Sequence, residues 1–290
     1  MKSVSEIMSL IEFPSDAVEF FGELFEKIQR DEILTQKLDG LRALYFENPN
    51  CDEVTSGLSE MSENLGCHKY SIDMLFLLFC TLHLETIYAR KGYSHEFFVH
   101  NIKDLCYKVV ECKKVHGFYG IMNFAWQAGL FNLSRFHLGR LQYNHYEALF
   151  DYKDIVKKGD DVIYIHIPSS GPLLPEDVED SFRMAYEFFG PTHGDKLILM
   201  SHTWLLYPPM AENVFTEGSN ARLFYERFDV IHEAEDPADT NIWRVFYVKT
   251  NDYSSLPQNT GMQKRLYRYL AEGNHTGFGY GMIVYKPMNL

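Results

Sequence analysis

The segment at 161–206 constrains the fold more than any other part of the chain. It opens with a strand-like run, DVIYIHI at 161–167, and continues through a Pro/Gly loop, PSSGPLLP at 168–175. An amphipathic segment with an acidic start follows at 176–189, and a second apolar run, KLILMSHTWLL, occupies 196–206. This order of strand, loop, helix and strand predicts a right-handed βαβ crossover with two adjacent parallel strands.

The crossover also predicts where a ligand binds, because open α/β sheets bind ligands beyond the carboxyl ends of their strands. The side chains expected around that crevice end the two strands or follow them. They are His166, Ser169, Ser170, Gly171, Ser201 and His202. We therefore expect the candidate site at this end of the sheet.

The composition disfavours several classes of partner. The chain has 290 residues, of which 46% are hydrophobic, and a net charge of -13. An acidic surface disfavours nucleic acids and anionic membranes. The longest apolar run, at 74–80, is far shorter than the roughly 20 residues of a membrane span. Five cysteines without a disulfide or zinc pattern, and an N-terminus without a signal-peptide core, predict a cytoplasmic protein.

The two halves of the chain differ in their periodicity. Apolar positions in the first half recur at helical spacing, which predicts helices over 16–29, 32–46, 71–90, 94–115 and 121–130. We expect Ser71 to cap the third of these helices, whose apolar middle should be buried. Further along, strands alternate with helices. We therefore predict a helical domain at 1–130 and a second domain at 131–290.

The second half mixes both kinds of element. We predict a bulged strand or strand pair at 133–146, helices at 219–228 and 260–272, and strands at 241–249 and 276–285. Gly277, Gly279 and Gly281 alternate along the last strand without the helix of a dinucleotide site. They indicate a strand that neighbouring backbone approaches closely. The predicted fold class is α+β, with a helical N-terminal domain followed by a mixed β-sheet domain that helices flank.

The helix at 219–228, SNARLFYERF, carries the residues of a family resemblance. Taken alone it is an ordinary amphipathic helix, capped by Ser219 or Asn220. However, Asn-Ala at 220–221 followed by Tyr-Glu-Arg at 225–227 resembles the helix after the fifth strand of the GNAT superfamily of acyl-CoA N-acyltransferases. The segments LGRLQY, HIPSSGPL and SHTWLL resemble a two-domain bacterial family that joins a helical N-terminal domain to a GNAT-like C-terminal domain.

The resemblance implies a fold, a reaction and a set of site residues. It implies a GNAT-like second domain that transfers an acyl group from acetyl-CoA or another acyl-CoA to a small-molecule amine. His202 or His166 would remove the proton of the amine, and Tyr225 would protonate the leaving thiolate. Backbone N–H groups at the end of the first crossover strand would stabilise the oxyanion. The residues expected to bind the cofactor are Ser169, Ser170, Gly171 and Asn220.

The loop at 168–175 departs from the family pattern and keeps a second hypothesis open. Typical GNAT members carry Q/R-x-x-G-x-G/A here and bind the pyrophosphate through backbone N–H groups. The three prolines of this loop have no N–H, and the acidic residues at 176, 177, 179 and 180 would repel a phosphate. The alternative is a non-enzymatic small-molecule or protein-binding module that has lost coenzyme A. The sequence leaves the oligomeric state open, a homo-oligomer included.

The histidines and serines admit few other chemistries. His166 and His202 either transfer protons near neutral pH or are strand-end residues bonded to backbone. The remaining histidines show no convergent spacing for a metal. Ser201 and His202 do not form a catalytic dyad, because adjacent strand residues point to opposite faces. The chain has no G-x-S-x-G motif, which disfavours an α/β-hydrolase.

Three further residues are candidates for substrate binding. Arg140 and Gln142 are expected on one face of a strand, where they either hold a carboxylate or amide of the substrate or form a solvated edge. Trp204 belongs to a long connection at 202–218 that is rich in aromatic residues and prolines. Such a connection is either a lid at the mouth of a site or a segment that packs against the helical half.

Overall fold

The computed structural model describes residues 3–250 and 252–287. The chain divides into two compact units, Met1–Phe136 and His137–Leu290, whereas the sequence pattern predicts a boundary at residue 130. The first unit is helical and the second is built on a mixed six-stranded sheet with helices. The predicted α+β fold class is confirmed.

The helical unit is organised around one long apolar helix. Its helices are α1 Val4–Leu10, α2 Ser15–Gln29, α3 Glu32–Glu47, α4 Asp52–Leu65, α5 Lys69–Arg90, α6 His95–Ile102, α7 Asp104–His116 and α8 Ala128–Phe131. By length and composition alone α5 is able to cross a membrane. Most of it is buried within the core of this unit, as the central helix of a folded domain is, and the expectation that its middle is buried is confirmed.

Two details of the helical unit differ from the prediction. His68, not Ser71, caps α5, and its side chain accepts a hydrogen bond from the Tyr70 N–H. Ser71 lies inside the helix, where its hydroxyl donates to the Tyr119 carbonyl at 2.6 Å. The predicted helix at 94–115 is two helices, α6 and α7, which are separated at Lys103. Residue type alone therefore did not identify the cap of α5, because a histidine three residues earlier makes the capping hydrogen bond.

The second unit contains most of the sheet. Its strands are β1 Arg135–Leu138, which crosses the boundary between the units, β2 Leu141–Glu147, β3 Asp161–His166, β4 Leu197–Thr203, β5 Asp229–Glu235 and β6 Gly277–Tyr285. Their order in the sheet is β1-β2-β3-β4-β6-β5. The helices of this unit are α9 Pro175–Phe189, α10 Pro208–Asn213, α11 Asn220–Tyr225, α12 Trp243–Phe246 and α13 Gly261–Ala271. A short 3₁₀ helix, Trp204–Leu206, follows β4.

The predicted crossover is confirmed. β3 and β4 are adjacent and parallel, and α9 connects them. α9 begins with Pro175 in its first turn, a position where a proline costs no helical hydrogen bond. The Ser181 hydroxyl of α9 bonds with the Tyr143 hydroxyl of β2 at 2.7 Å, and the Phe182 ring packs edge-on against Tyr285 of β6. These contacts place α9 on one face of the sheet.

The same face carries the three glycines of β6, and we call it the glycine face. A Cβ atom at Gly279 would lie 1.9 Å from the Leu206 carbonyl oxygen, and one at Gly281 would lie 2.9 Å from Phe228. The predicted close approach to this strand is confirmed, and the 3₁₀ helix after β4 makes it. The segment at 202–218 therefore packs on the sheet of its own unit, since Leu206, Met210 and Ala211 are buried.

One predicted strand is wrong and one strand is unpredicted. The segment at 241–249 contains α12, because Asp236 accepts hydrogen bonds from the backbone and hydroxyl of Thr240 and turns the chain just before it. The edge strand β5 pairs with β6 in antiparallel register. Most of its residues are exposed, so its sequence lacks the alternation of a half-buried strand.

Candidate active site

The site begins where two parallel strands stop pairing. β3 continues to His166 and β4 to Thr203, but their paired residues are only Ile163 with Leu199 and Tyr164 with Met200. Beyond that point the carboxyl ends of β3 and β4 are no longer joined by a regular ladder. We call the space between these two ends the split. It lies at the end of the sheet where the sequence predicted a ligand.

Side-chain hydroxyls cross the split in both directions. The Tyr164 hydroxyl of β3 accepts a hydrogen bond from the His202 N–H at 3.0 Å and donates to the His202 carbonyl at 3.2 Å. The buried Ser201 hydroxyl of β4 donates to the Ile165 carbonyl at 3.1 Å. The backbone groups that leave the ladder are thereby satisfied without direct pairing of the strands.

His202 lies on the face of the sheet opposite to the glycine face. The register pairs His202 with Tyr280 of β6, and the two rings stack with centroids 3.8 Å apart and planes 4° apart. The Phe278 ring is 5.0 Å away. Burial lowers the pKa of His202, and the imidazole of His232 on β5 lowers it further. The ring is therefore neutral near pH 7, which is the form that accepts a proton.

Two groups of contacting rings, one on each side of the split, lie on this face of the sheet, which we call the ring face. Tyr280 is flanked by Phe150 at 5.3 Å and by His232 at 6.0 Å, and Phe150 stacks on His232 at 4.9 Å. On the other side of the split, Tyr164 contacts Tyr146 at 5.1 Å. The members of the ring face are Tyr146, Phe150, Tyr164, His166, His202, His232, Phe278 and Tyr280.

His166 is on the same face at the end of β3. Its ring is 4.6 Å from that of Tyr164, and its Nε2 bonds with the amide oxygen of Asn144 on β2. Gln142 pairs with His166 across the two strands and is only 3% exposed, and its contact with substrate stays a prediction. His166 is therefore held by polar neighbours on β2, whereas His202 is held by aromatic rings.

Tyr225 approaches from the glycine face. It ends α11, and Phe228 just after this helix lies against Gly281 of β6. Burial raises the pKa of Tyr225, and Arg222, whose guanidinium carbon is 5.5 Å from the ring centroid, opposes that shift. The phenol therefore carries its proton at neutral pH. Tyr225 thus belongs to a helix on the glycine face, opposite to the face of His202, and its role as the acid stays a prediction.

The loop at 168–175 is held by Arg140. Its guanidinium donates to the carbonyls of Pro168, Gly171 and Pro172 at 3.1, 2.6 and 2.9 Å. Arg140 lies in the turn before β2, not within a strand as the sequence suggested. The observed contacts make it a residue that shapes the loop, and a direct contact with substrate stays a prediction. Because these three carbonyls face Arg140, the guanidinium does not occupy the N–H groups of the loop.

The loop and the start of α9 offer donors to an anionic ligand. The Ser170 hydroxyl is buried and has no hydrogen-bond partner among the residues that the structure describes. Gly171 has φ 128°, a conformation that suits glycine, and Ser169 is exposed. No side chain caps α9 at Leu174, so the first N–H groups after Pro175 lack that partner. These donors fit the phosphates of a coenzyme A moiety.

The acidic start of α9 is partly compensated. Arg227 donates to the Glu179 carboxylate at 2.6 Å and to the Pro175 carbonyl at 3.1 Å, and Asp180 pairs with Arg183 at 3.3 Å. Glu176 and Asp177 are exposed in the first turn. Two of the four carboxylates, Glu179 and Asp180, are therefore paired with arginines. The other two, Glu176 and Asp177, would repel a phosphate, but both are exposed to solvent, which screens their charge.

The remaining candidates belong to elements that follow β4 and make structural contacts there. Asn220 is the first residue of α11, and Ser219, not Asn220, caps this helix through a bond from the Arg222 N–H. Trp204 is in the 3₁₀ helix after β4 and packs edge-on against Phe215 at 6.0 Å. Binding of cofactor by Asn220 and of substrate by Trp204 stays a prediction.

A metal site and a cavity were considered apart from the split, in the part of the chain that the structure describes. Within residues 3–250 and 252–287, no group of three His, Cys, Asp or Glu side chains is placed to hold a metal ion. A shallow cavity lies at the outer end of β2 and β3. It is lined by His145, Tyr146, Glu147, Leu149 and Asp161, and of these five Tyr146 also belongs to the ring face.

Two family models match the chain, one in each half. Residues 135–283, just over half of the chain, match the model of a GNAT-like C-terminal domain, and residues 2–133 match that of an N-acyltransferase N-terminal domain. The chain belongs to the two-domain family of GNAT-like N-acyltransferases. The resemblance drawn from the sequence is thereby confirmed. No curated protein matches the chain.

Solved structures of acyltransferases share this two-domain fold. One, a complex with decanoyl-CoA and teicoplanin, is 20% identical, with a TM-score of 0.75 over 96% of this chain and 86% of that one. A mutant in complex with octanoyl-CoA is 20% identical, with a TM-score of 0.76 and the same coverage. A complex with decanoyl-CoA is 21% identical, with a TM-score of 0.64 over 97% and 99% of the chains. At this identity the likeness establishes the fold.

The sequence missed several residues of the GNAT-like site. Tyr164 could have been predicted, because strand alternation puts it on the same face as His166. His232 and Phe150 were not, since β5 was unpredicted and Phe150 lies outside any strand. Tyr280 alternates with the three glycines and therefore lies on the opposite face of β6, and the glycine pattern alone does not indicate a role for it.

Proposed function

We propose that this protein transfers an acyl group from an acyl-CoA to the amine of an acceptor. The observation that carries the proposal is the split between β3 and β4, bordered by a half-buried neutral imidazole, His202, in a chain of the N-acyltransferase family. The alternative, a binding module that has lost coenzyme A, depended on the loop prolines and the acids of α9. The ion pair between Arg227 and Glu179 and the unpartnered Ser170 hydroxyl weaken that argument.

The donor is an acyl-CoA, and we propose a medium-chain one rather than acetyl-CoA. Acyltransferases of the same fold bind decanoyl-CoA and octanoyl-CoA. Bound at the split, the thioester would supply an activated carbonyl carbon and a thiolate leaving group. The N–H groups of 169–171, the Ser170 hydroxyl and the first turn of α9 would hold the phosphates.

We assign proton transfer to the two faces of the sheet. As the amine nitrogen bonds to the carbonyl carbon and the carbon–sulfur bond breaks, the neutral ring of His202 accepts the proton that the nitrogen loses. Tyr225 donates its phenolic proton to the departing sulfur from the opposite face. The two protons balance, because the one held on His202 returns to the phenolate through solvent. His166 is the second candidate for the base.

The oxyanion needs a hydrogen-bond donor at the end of β3. In a strand every second residue directs its N–H and C=O toward the same neighbour. The Ile165 carbonyl faces β4, where Ser201 reaches it, so strand alternation directs the Ile167 N–H toward the same side. We propose Ile167 as the backbone donor that the resemblance implies for this strand.

The acceptor binds on the ring face. Its amine must reach His202, and the surface around this residue is made of aromatic and imidazole rings with few charges. Such rings bind planar groups and the apolar faces of sugars by stacking. An acyltransferase of the same fold binds the glycopeptide teicoplanin. We propose an amine acceptor that carries aromatic or sugar rings. The net charge of -13 favours its arrival as an ammonium ion, which must lose one proton to solvent before the neutral amine attacks and His202 accepts the second.

Binding and turnover test this proposal separately. Isothermal titration with acetyl-, octanoyl- and decanoyl-CoA should give saturable binding that is tightest for the longer chains. Release of free thiol in the presence of a panel of ring-bearing amines should then report turnover. Absence of acyl-CoA binding would contradict the proposal and favour the non-enzymatic alternative, which has lost coenzyme A. Saturable binding without release of thiol from any amine of the panel would contradict the proposed reaction.

A charge variant tests the phosphate position. The double variant Glu176→Gln/Asp177→Asn removes two carboxylates from the first turn of α9, so acyl-CoA affinity should rise severalfold, more at low salt than at high salt. Glu187→Gln removes one charge from the other end of the same helix and should leave affinity unchanged. Equal affinity in both variants across salt concentrations would place the phosphates elsewhere.

A further inference from the structure

We propose that Tyr164 and Ser201 are positioning residues whose hydroxyls act as spacers and hold the split open. Each hydroxyl bonds to the backbone groups of the facing strand that would otherwise pair and close the space. The geometry of this inference is independent of the reaction, but its consequence for catalysis rests on the proposed function.

The register shows which backbone groups the spacers occupy. Paired residues Ile163 with Leu199 and Tyr164 with Met200 define a parallel ladder. In such a ladder the next rung would join the Ile165 carbonyl to the His202 N–H. The first of these groups accepts from Ser201 at 3.1 Å, and the second donates to Tyr164 at 3.0 Å. The rung is replaced by two hydroxyls, one from each strand.

The Tyr164 hydroxyl also prevents the following rung of the ladder, which would join the Ile167 N–H to the His202 carbonyl. It donates to the His202 carbonyl at 3.2 Å, the group that a continued ladder would offer to Ile167. Burial raises the pKa of Tyr164, so the phenol keeps the proton that this bond requires. One phenol thus occupies both backbone groups of His202. The backbone of the proposed base is fixed, and its ring stays stacked on Tyr280.

This arrangement predicts an unusual response to mutation. Removal of a buried hydroxyl that only stabilises the fold leaves its backbone partner unsatisfied and lowers stability. Removal of both spacers frees the Ile165 carbonyl and the His202 N–H together, and these two groups can then bond to each other. The double variant Tyr164→Phe/Ser201→Ala should therefore close the split by one rung and keep its stability.

Two readouts test the inference. The first needs no activity: an NMR scalar coupling through a hydrogen bond between the His202 N–H and the Ile165 carbonyl should appear in the double variant and not in the parent protein. The second is binding: affinity for decanoyl-CoA should fall at least tenfold in the double variant, while its melting temperature equals or exceeds that of Tyr164→Phe alone. Tyr186→Phe, which also removes a phenol bonded to a carbonyl, should change neither readout.

The outcomes separate this inference from the proposed function. If the coupling does not appear and the melting temperature of the double variant falls below that of either single variant, the hydroxyls are structural and the inference is overturned. Decanoyl-CoA affinity within twofold of the parent would also overturn it. If the parent itself binds no acyl-CoA, the proposed function fails, and the coupling alone decides whether the hydroxyls are spacers.

Discussion

The helical unit and the sheet unit both place charged or titratable side chains inside, but they treat them differently. In the helical unit Arg135 is 5% exposed, donates to the Trp126 carbonyl and the Gln127 side chain, and lies 4.3 Å from the Trp126 ring centroid. Gln127 in turn donates to the buried Asp104 at 3.1 Å. Burial lowers the pKa of Arg135, and Asp104 opposes that shift.

In the sheet unit the corresponding groups are half-buried and incompletely paired. His202 is half-buried against the rings of Tyr280 and Phe278, and the Ser170 hydroxyl has no partner among the described residues. The comparison teaches that a buried charge held by several side-chain and backbone bonds serves stability, whereas a half-buried group with spare hydrogen-bonding capacity is available for chemistry.

The largest expected effect tests the helical side of this comparison. Arg135→Met leaves Asp104 buried without its compensating charge, so the free energy of unfolding should fall by about 3–5 kcal/mol. Chemical denaturation followed by circular dichroism measures it. Arg183→Met, which removes an exposed arginine with two carboxylate partners, should cost less than about 1 kcal/mol. Similar losses in the two variants would show that the Arg135 network is not a stability element.

The next effect tests the sheet side. His202→Gln should lower kcat about 10²-fold or more, with the free energy of unfolding nearly unchanged, because a general base is lost and its packing is mostly kept. The pKa of His202 is lowered from 6.5, so the acid limb of the parent kcat/KM profile should lie below pH 6.5 and be absent from the variant. An unchanged profile would move the role of base to His166.

Tyr225→Phe sharpens the assignment of the two faces. The ring and its packing stay, but the phenolic proton is lost, so kcat should fall by roughly 10²-fold while the Kd for acyl-CoA is kept. Steady-state kinetics with calorimetric binding separates the two quantities. Turnover equal to the parent would make Tyr225 a packing residue of α11.

A smaller effect shows that the sheet unit also contains a stability element. Burial raises the pKa of Asp239, but bonds from Tyr253, His275 and Thr276 outweigh it and lower the pKa. The bond to Asp239 raises the pKa of His275 above 6.5. Asp239 adds stability that is lost as pH falls through its lowered pKa, and His275 adds stability that is lost as pH rises through its raised pKa.

His275→Gln should therefore lower the melting temperature more at pH 5.5 than at pH 8.5. The measurement is thermal unfolding of the variant and the parent at both values. His145→Gln, which removes an exposed histidine from its pair with Asp161, is the control for the loss of an imidazole. An equal loss at both pH values would show that the proton on His275 does not contribute.

Much of the site could be predicted because the crossover is a local pattern. The segment 161–206 contains both strands, the loop and the connecting helix in one continuous stretch, and each part has its own periodicity and end signals. The role of Arg140 could not be predicted from the sequence. Three carbonyls converge on its guanidinium only when the turn before β2 and the loop after β3 meet. The same holds for His232, whose strand is too exposed to show a pattern.

By itself the sequence determined the α+β class, the parallel crossover, the end of the sheet where a ligand is expected and membership of the acyltransferase family, because these follow from periodicity and short motifs. Only the tertiary structure decided which hydroxyl faces which strand, which face Tyr225 occupies, and that the rung after Tyr164 is replaced by side chains. The physical reason is that the partners in each of these contacts come from different elements, and their distances are set by packing rather than by local propensity.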